Sequence, residues 1–374
     1  MSGVAELLEG RRVCVMGGSG GVGKTTTAAA VAMGMAARGL KVAVVTIDPA
    51  QRLAGALGLD ELANEPQQIA AEPFAAAGLP LDGELWAMTL DAKRTFDELI
   101  ARLAPDERTR DQILANRIYR ELSDAIAGSQ EFTAVAKVHE LAHNGRFDLL
   151  VLDTPPSRNA LDFLDAPARL TRFFEGRALQ LLLRPSGAGI RLLGRGTGMA
   201  LGLLRRITGA ELLGDLSEFL RLLGGLVDGF RERAAQVEAL LRDDGTTFLL
   251  VTSPEREPID EAIHFQQRLA TAGMSLGGAI VNRMHVDALG DGDAGQLSQL
   301  LAAHAGLSPA LVELVAAAFH DEHVLALRDA ENVAHLGEQL GEAVPLLRVP
   351  LLDDDVHDVA GLVRMHRCFA IPEH

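Results

Sequence analysis

Two sets of residues in this 374-residue chain are spaced for phosphate chemistry. The first is the run Gly18, Ser19, Gly20, Gly21, Val22, Gly23, Lys24, Thr25, Thr26, which fits GxxxxGK[ST]. Glycines let the backbone turn its N–H groups inward, and those amides, with the positive end of a following helix, hold polyphosphate. Lys24 is then placed for the β/γ oxygens, and Thr25 offers a hydroxyl to Mg²⁺. The second set is a pair of acids, Asp48 in Asp48-Pro49-Ala50 and Asp153 in Asp153-Thr154-Pro155-Pro156. Asp153 closes the apolar run Leu149–Leu152, where a carboxylate can hold Mg²⁺ directly or through water, or cap a helix instead. Asp48 is placed either to orient or deprotonate an attacking water, or simply to open a β-turn before Pro49.

These residues need a scaffold, and the chain spells one out. Short β-rich runs alternate with longer helical stretches, the pattern of right-handed βαβ units on a parallel sheet. The strands are predicted at Val13–Met16, Lys41–Ile47, Leu85–Leu90, Phe147–Leu152, Thr247–Val251 and Leu276–Val281, with a seventh at Leu346–Val349. A helix from Lys24 to Arg38, ending at Gly39, follows the phosphate loop. In open α/β sheets, ligands bind beyond the carboxyl ends of the strands, so Lys24, Asp48 and Asp153 all belong to one edge.

Composition narrows the classes. Aromatic residues are only 4% while glycine and alanine abound, which suits close-packed helices on a sheet better than a β sandwich. A net charge of −16 argues against nucleic acid as a partner, since phosphate neutralisation needs a basic face. Cys14 and Cys368 are far apart and form neither a disulfide framework nor a CxxC pair, consistent with a reducing cytoplasm. No apolar run reaches the length of a membrane span, and the N-terminus has no signal-peptide core, so a cytoplasmic location is expected.

The ordered motifs GSGGVGKTT, VVTIDPAQRLAGALGL (44–59), VLDTPPSRNALDFL (151–164), VNR (281–283) and VPLLDDDV (349–356) resemble those of the ArsA/Get ATPases. That family includes the arsenite-pump ATPase and the tail-anchored-protein targeting ATPase, within the dimeric P-loop group of MinD and ParA. Actinobacterial ArsA-like ATPases look closest. The resemblance implies a P-loop NTPase fold, α/β with a mostly parallel sheet flanked by helices and an inserted α-helical subdomain. It implies ATP as substrate with Mg²⁺, switch I at 44–59 with Asp48 handling water, and switch II at 153–160 with Asp153 on the metal side. Asn282 and the loop of Pro350 and Leu351 would grip adenine, although Asn and Pro also commonly end strands. The core is expected from 1–92, 146–165 and 241–374, and the helical subdomain from 93–145 and 166–240.

Three departures qualify the resemblance. The group's signature lysine, which crosses the dimer to the partner's phosphates, is here Ser19, which carries no charge. Arg52, Arg158 or a lysine-bearing paralogue in a heterodimer are the candidate replacements, or hydrolysis is slow. Second, clustered thiolates for arsenite and a CxxC pair for zinc are both missing, so neither site is expected. His320 and His323 lack a further metal ligand and read as a solvated helix end, while Asp353, Asp354 and Asp355 read as the acidic first turn of a C-terminal helix. Third, 176–210 carries six arginines and no acid among many leucines and glycines. It reads either as a surface for a hydrophobic client, a protein partner, a membrane or an anionic metabolite, or as an insertion closing its own core.

The expected function is Mg²⁺-dependent ATP hydrolysis by a homodimer or a heterodimer, whose rearrangement moves the helical subdomain. A weakly hydrolysing heterodimer subunit, a MinD/ParA-like positioning ATPase and a small-molecule phosphotransferase remain alternatives.

Overall fold

The structure is a computed structural model that describes residues 3–47, 52–117, 119–120, 130–154, 218–219, 221–287, 294–303 and 307–369. In chain order its first elements are α1 (Val4–Leu7), β1 (Val13–Gly17), α2 (Lys24–Ala36), β2 (Lys41–Thr46), α3 (Arg52–Ala56), β3 (Gln67–Gln68), α4 (Glu72–Ala76) and β4 (Glu84–Thr89). Next come α5 (Ala92–Leu103), α6 (Glu107–Ala115), α7 (Gln130–His143), β5 (Leu149–Asp153), α8 (Val227–Arg242) and β6 (Thr246–Thr252). The last are α9 (Arg256–Ala272), β7 (Leu276–Met284), α10 (Ala294–Ala302), α11 (Pro309–Leu340), β8 (Leu346–Pro350) and α12 (Val359–Arg367). The chain divides into two compact units, one drawn from Met1–Thr89, Gly145–Ala160 and Asp244–His374, the other from Leu90–Asn144 and Leu161–Asp243.

The first unit is built on a sheet whose described strands run in the order β3-β4-β2-β5-β1-β6-β7-β8. Every pairing is parallel except that of the short β3 with β4. The central strands are buried along almost their whole length, as strands covered on both faces are, so their middles read as continuous hydrophobic runs without alternation while polar residues sit at their ends. All seven predicted strands are present. The two-residue β3 was not predicted, since Gln67-Gln68 carries no apolar signal at all. β7 runs three residues beyond the predicted Val281, and β8 includes Pro350.

α2 is buried almost all round, from Thr27 to Ala36. Its alanines allow that because they are small enough to lie between the sheet and α12; a Cβ on Gly34 would stand 2.1 Å from Cε1 of His366 on α12. The helix stops at Ala36 instead of the predicted Arg38, where the Arg38 and Gly39 amides tighten onto the Met35 and Ala36 carbonyls and Gly39 takes φ +93°. Cys14 lies wholly within this core, and burial pushes its thiol far above the ordinary range, which leaves it inert.

Two expectations for the later chain are corrected. Asp353–Asp355 do not load the first turn of α12: that helix starts at Val359 and is capped by Asp358, whose carboxylate accepts from the Gly361 amide at 2.7 Å. Asp358 has the extended backbone and the reach that an N-cap needs. His320 and His323 are not at a helix end but in the middle of α11, which runs uninterrupted from Pro309 to Leu340; His323 meets Asp287 at 2.8 Å.

The second unit is helical in its described part. Phe96 stacks with Tyr119 and with Phe230, and the Tyr119 hydroxyl donates to Asp97. Lys137 is 2% exposed and lies 3.5 Å from Glu98, so its charge is paired inside the helix packing. Among the described helices none is long and apolar enough to cross a membrane.

Candidate active site

β1 ends at Gly17 in the centre of the sheet, and the loop that follows wraps back to the first turn of α2. Gly18, Gly21 and Gly23 all take positive φ, as a loop that turns its amides inward requires. At Gly23 the demand is doubled: φ is +92°, and a Cβ would stand 2.4 Å from Nδ2 of Asn282. Lys24 is 6% exposed, and its ammonium donates to the carbonyls of Gly18 at 2.9 Å and Ser19 at 2.7 Å. It therefore lies across its own loop. The Ser19 hydroxyl is buried and has no hydrogen-bond partner among the described residues.

Beside the loop, three strand and helix ends converge on one carboxylate. Asp153, at the end of β5 and 1% exposed, accepts through Oδ2 from Thr25 Oγ1 at 2.7 Å and from Thr46 Oγ1 at 2.8 Å. The parallel register makes this possible, since Asp153 pairs with Met16 on β1 and with Thr46 on β2. Next to it, Thr154 donates to the Met16 carbonyl at 2.6 Å. A buried carboxylate with two hydroxyls is a set of hard oxygen donors, which suits Mg²⁺ and not a soft ion. Thr25 and Asp153, both assigned to Mg²⁺ from the sequence, are thus brought together. Thr46 went unnoticed because a threonine ending a β-rich run has no distinctive spacing.

The opposite wall comes from β7 and the segment after β8. Asn282 is 8% exposed and donates through Nδ2 to the Val22 carbonyl at 2.9 Å. The Leu351 amide donates to the Met284 carbonyl at 2.8 Å, which brings the Pro350 loop alongside. These walls enclose a cavity of about 360 Å³ lined by Gly21, Gly23, Lys24, Thr25, Thr26, Asn282, Pro350 and Leu351, all named from sequence. Arg52, Thr154, Arg283, Asp354 and Asp355 also line it. Of these, the two acids were assigned to a helix start, and Arg283 had no role; its only sequence signal is its place after Asn282.

Asp48 lies outside the described residues, as do Arg158 and the basic stretch 176–210.

A family profile for the anion-transporting ATPases matches residues 11–333. Individual relatives agree. The chain is 26% identical over 272 residues to "ATPase get3" of Neurospora crassa, covering 72% of each protein. It is 25% identical over 274 residues to "ATPase GET3A" of Arabidopsis thaliana, covering 73% of this chain and 67% of the relative. It is 27% identical over 271 residues to "ATPase ARSA2" of Chlamydomonas reinhardtii, covering 72% and 67%.

Proposed function

The chain belongs to the anion-transporting ATPase family and is an ATPase; from that premise we propose that the cavity at the end of β1 binds Mg²⁺·ATP and that its hydrolysis drives a change in subunit association. The loop amides and Lys24 hold the phosphates, Thr25 and Asp153 hold Mg²⁺, and Asn282 with Pro350 and Leu351 receives the adenine. When bound there, Mg²⁺ would supply charge neutralisation to the phosphates. Asp48 orients the water that attacks the γ-phosphorus and takes its proton.

The observation that carries this reading is the Thr25 hydroxyl, on the wall of a cavity that Lys24 and Asn282 also line, bonded at 2.7 Å to the buried Asp153 carboxylate. A structural loop has no need to bring a hydroxyl tied to a buried carboxylate, a buried ammonium and an amide-bearing wall around one opening. Its volume is within the range of small-ligand sites. The deciding experiment is phosphate release from ATP across a Mg²⁺ titration, for the wild type and Lys24→Ala. Equal rates in both would end the assignment.

The association part is supported by exposed large apolar side chains that gather on one stretch of sequence: Val286, Leu300, Leu307, Leu311, Leu314, Phe319, Val324 and Leu327 are each more than a third exposed. Apolar area of that kind, on and around α10 and α11, suits a protein contact. The partner is either a second copy or a lysine-bearing paralogue, and the helical unit is the part whose placement the rearrangement alters. Sedimentation with and without Mg²⁺·ATP, alone and with a paralogue, distinguishes the two; a monomer under every condition would remove the association.

A further inference from the structure

Arg283 stands out at the end of β7. It is the one non-glycine residue with positive φ among those described, at +64°. The β7–β8 register shifts between Val281 and Met284, so the strand bulges at Asn282 and Arg283. Bulges re-aim side chains, and strained backbone persists only where its surroundings enforce it.

Here the enforcement is visible on both sides. Asn282 is tied by its side chain to the Val22 carbonyl at 2.9 Å. His285 is tied by its amide and by Nδ1, at 3.1 and 2.7 Å, to Asp329, a wholly buried carboxylate on α11. Between these anchors the Arg283 guanidinium turns to the phosphate loop and donates from Nη1 to the Gly21 carbonyl at 3.1 Å. It lines the same cavity as Lys24 and Thr25. A surface arginine gains nothing from a left-handed backbone that a glycine or asparagine would adopt more readily. Its presence there is accounted for by what its planar fork of donors reaches, and phosphate oxygens are the ligand that fork matches.

We propose that Arg283 is a nucleotide-binding residue whose guanidinium contacts the phosphates of a nucleoside di- or triphosphate from within the same subunit, supplying positive charge that Ser19 does not. The proposal rests on the reading of the cavity as the ATP site. It gives the bulge, the left-handed turn and the buried Asp329 one purpose: they hold a cation over the loop.

Arg283→Gly keeps the left-handed backbone and removes the guanidinium, whereas Arg283→Lys keeps a charge at the cost of the fork. Calorimetric titration of Mg²⁺·ATP and Mg²⁺·ADP, with inorganic pyrophosphate as a competitor, should show Arg283→Gly weakening ATP by about tenfold or more, the scale of a hydrogen bond to a charged group. ADP should weaken less, pyrophosphate should compete less well, and Arg283→Lys should recover part of the loss. Unchanged ATP affinity in Arg283→Gly, with Lys24→Ala defective, overturns the role of Arg283 and leaves the site intact. Equal losses for both nucleotides together with a lowered melting temperature would make Arg283 a structural clamp and overturn it too. If the wild type binds none of the three, the ATP-site reading and this one fall together.

Discussion

The Thr25 hydroxyl donates to the Asp153 carboxylate over 2.7 Å, although 128 positions separate them in the chain. The bond joins the first turn of α2 to the end of β5, and on the proposed reading the two residues would present their oxygens to one Mg²⁺. Thr25→Ala and Asp153→Asn should each reduce Mg²⁺-dependent ATP turnover by roughly 10- to 100-fold, the scale of disturbed metal sites. The double variant should be little worse than the weaker single one, because both changes remove the same interaction. Phosphate release across a Mg²⁺ series tests this; strictly multiplicative losses would separate the two residues.

Lys24 and Asp48 should fail in different ways. Lys24→Ala is expected to abolish tight nucleotide binding by calorimetry. Asp48→Asn is expected to retain ATP and lose turnover by on the order of 10²–10⁴, the contribution of a general base. Equal loss of affinity in both variants would undo that division of labour.

Ser19→Lys restores a cation to the loop. If subunits meet across their nucleotides, turnover should rise by at least about tenfold, below the 10³–10⁵ scale of a cationic finger in trans. The gain should also depend on protein concentration. Steady-state rates over a dilution series measure it, and an unchanged rate at every concentration would count against a shared site.

Gly23→Ala combines two faults, a left-handed residue with a Cβ and a clash with Nδ2 of Asn282. The strain costs about 1–3 kcal/mol and should lower the melting temperature by a few degrees. Nucleotide affinity should fall as well, because displacing Asn282 disturbs both the loop and the opposite wall. Full retention of affinity would show that the Asn282 contact does not matter to the ligand.

In the helical unit, burial first, then the Arg233 guanidinium 3.1 Å away and the charge of His143, push the His139 imidazole down from 6.5 to about 4. The unfolded chain therefore takes up this proton first as pH falls. Stability contributed by neutral His139 is complete above pH 6.5 and is lost between 6.5 and about 4. Urea unfolding near neutral pH and again at mildly acid pH should show the loss, and His139→Gln should flatten it. An equal acid loss in the variant would assign the effect to other groups.

The phosphate loop, the seven longer strands and the acid ending β5 were legible in the sequence because each rests on local rules. Glycines at fixed offsets make a loop, and apolar runs at sheet spacing make buried strands whose carboxyl ends share one edge. Local pattern could not assign the acids at 353–355, where one run suits a helix start as well as a cavity wall; Asp358 had the geometry to cap, and the choice fell to it. Nor could it reveal Thr46 on Asp153, since that bond depends on the register of β2 against β5. Arg283 was the hardest to see. Its direction is set by a bulge, by Asn282 held on the phosphate loop and by a carboxylate on α11, 46 positions further along the chain. Sequence thus determined which chemistry the molecule carries, because that chemistry needs particular residue types at short spacing. Tertiary structure decided which distant side chains complete it, because hydrogen bonds between strand ends exist only once the sheet has fixed its register.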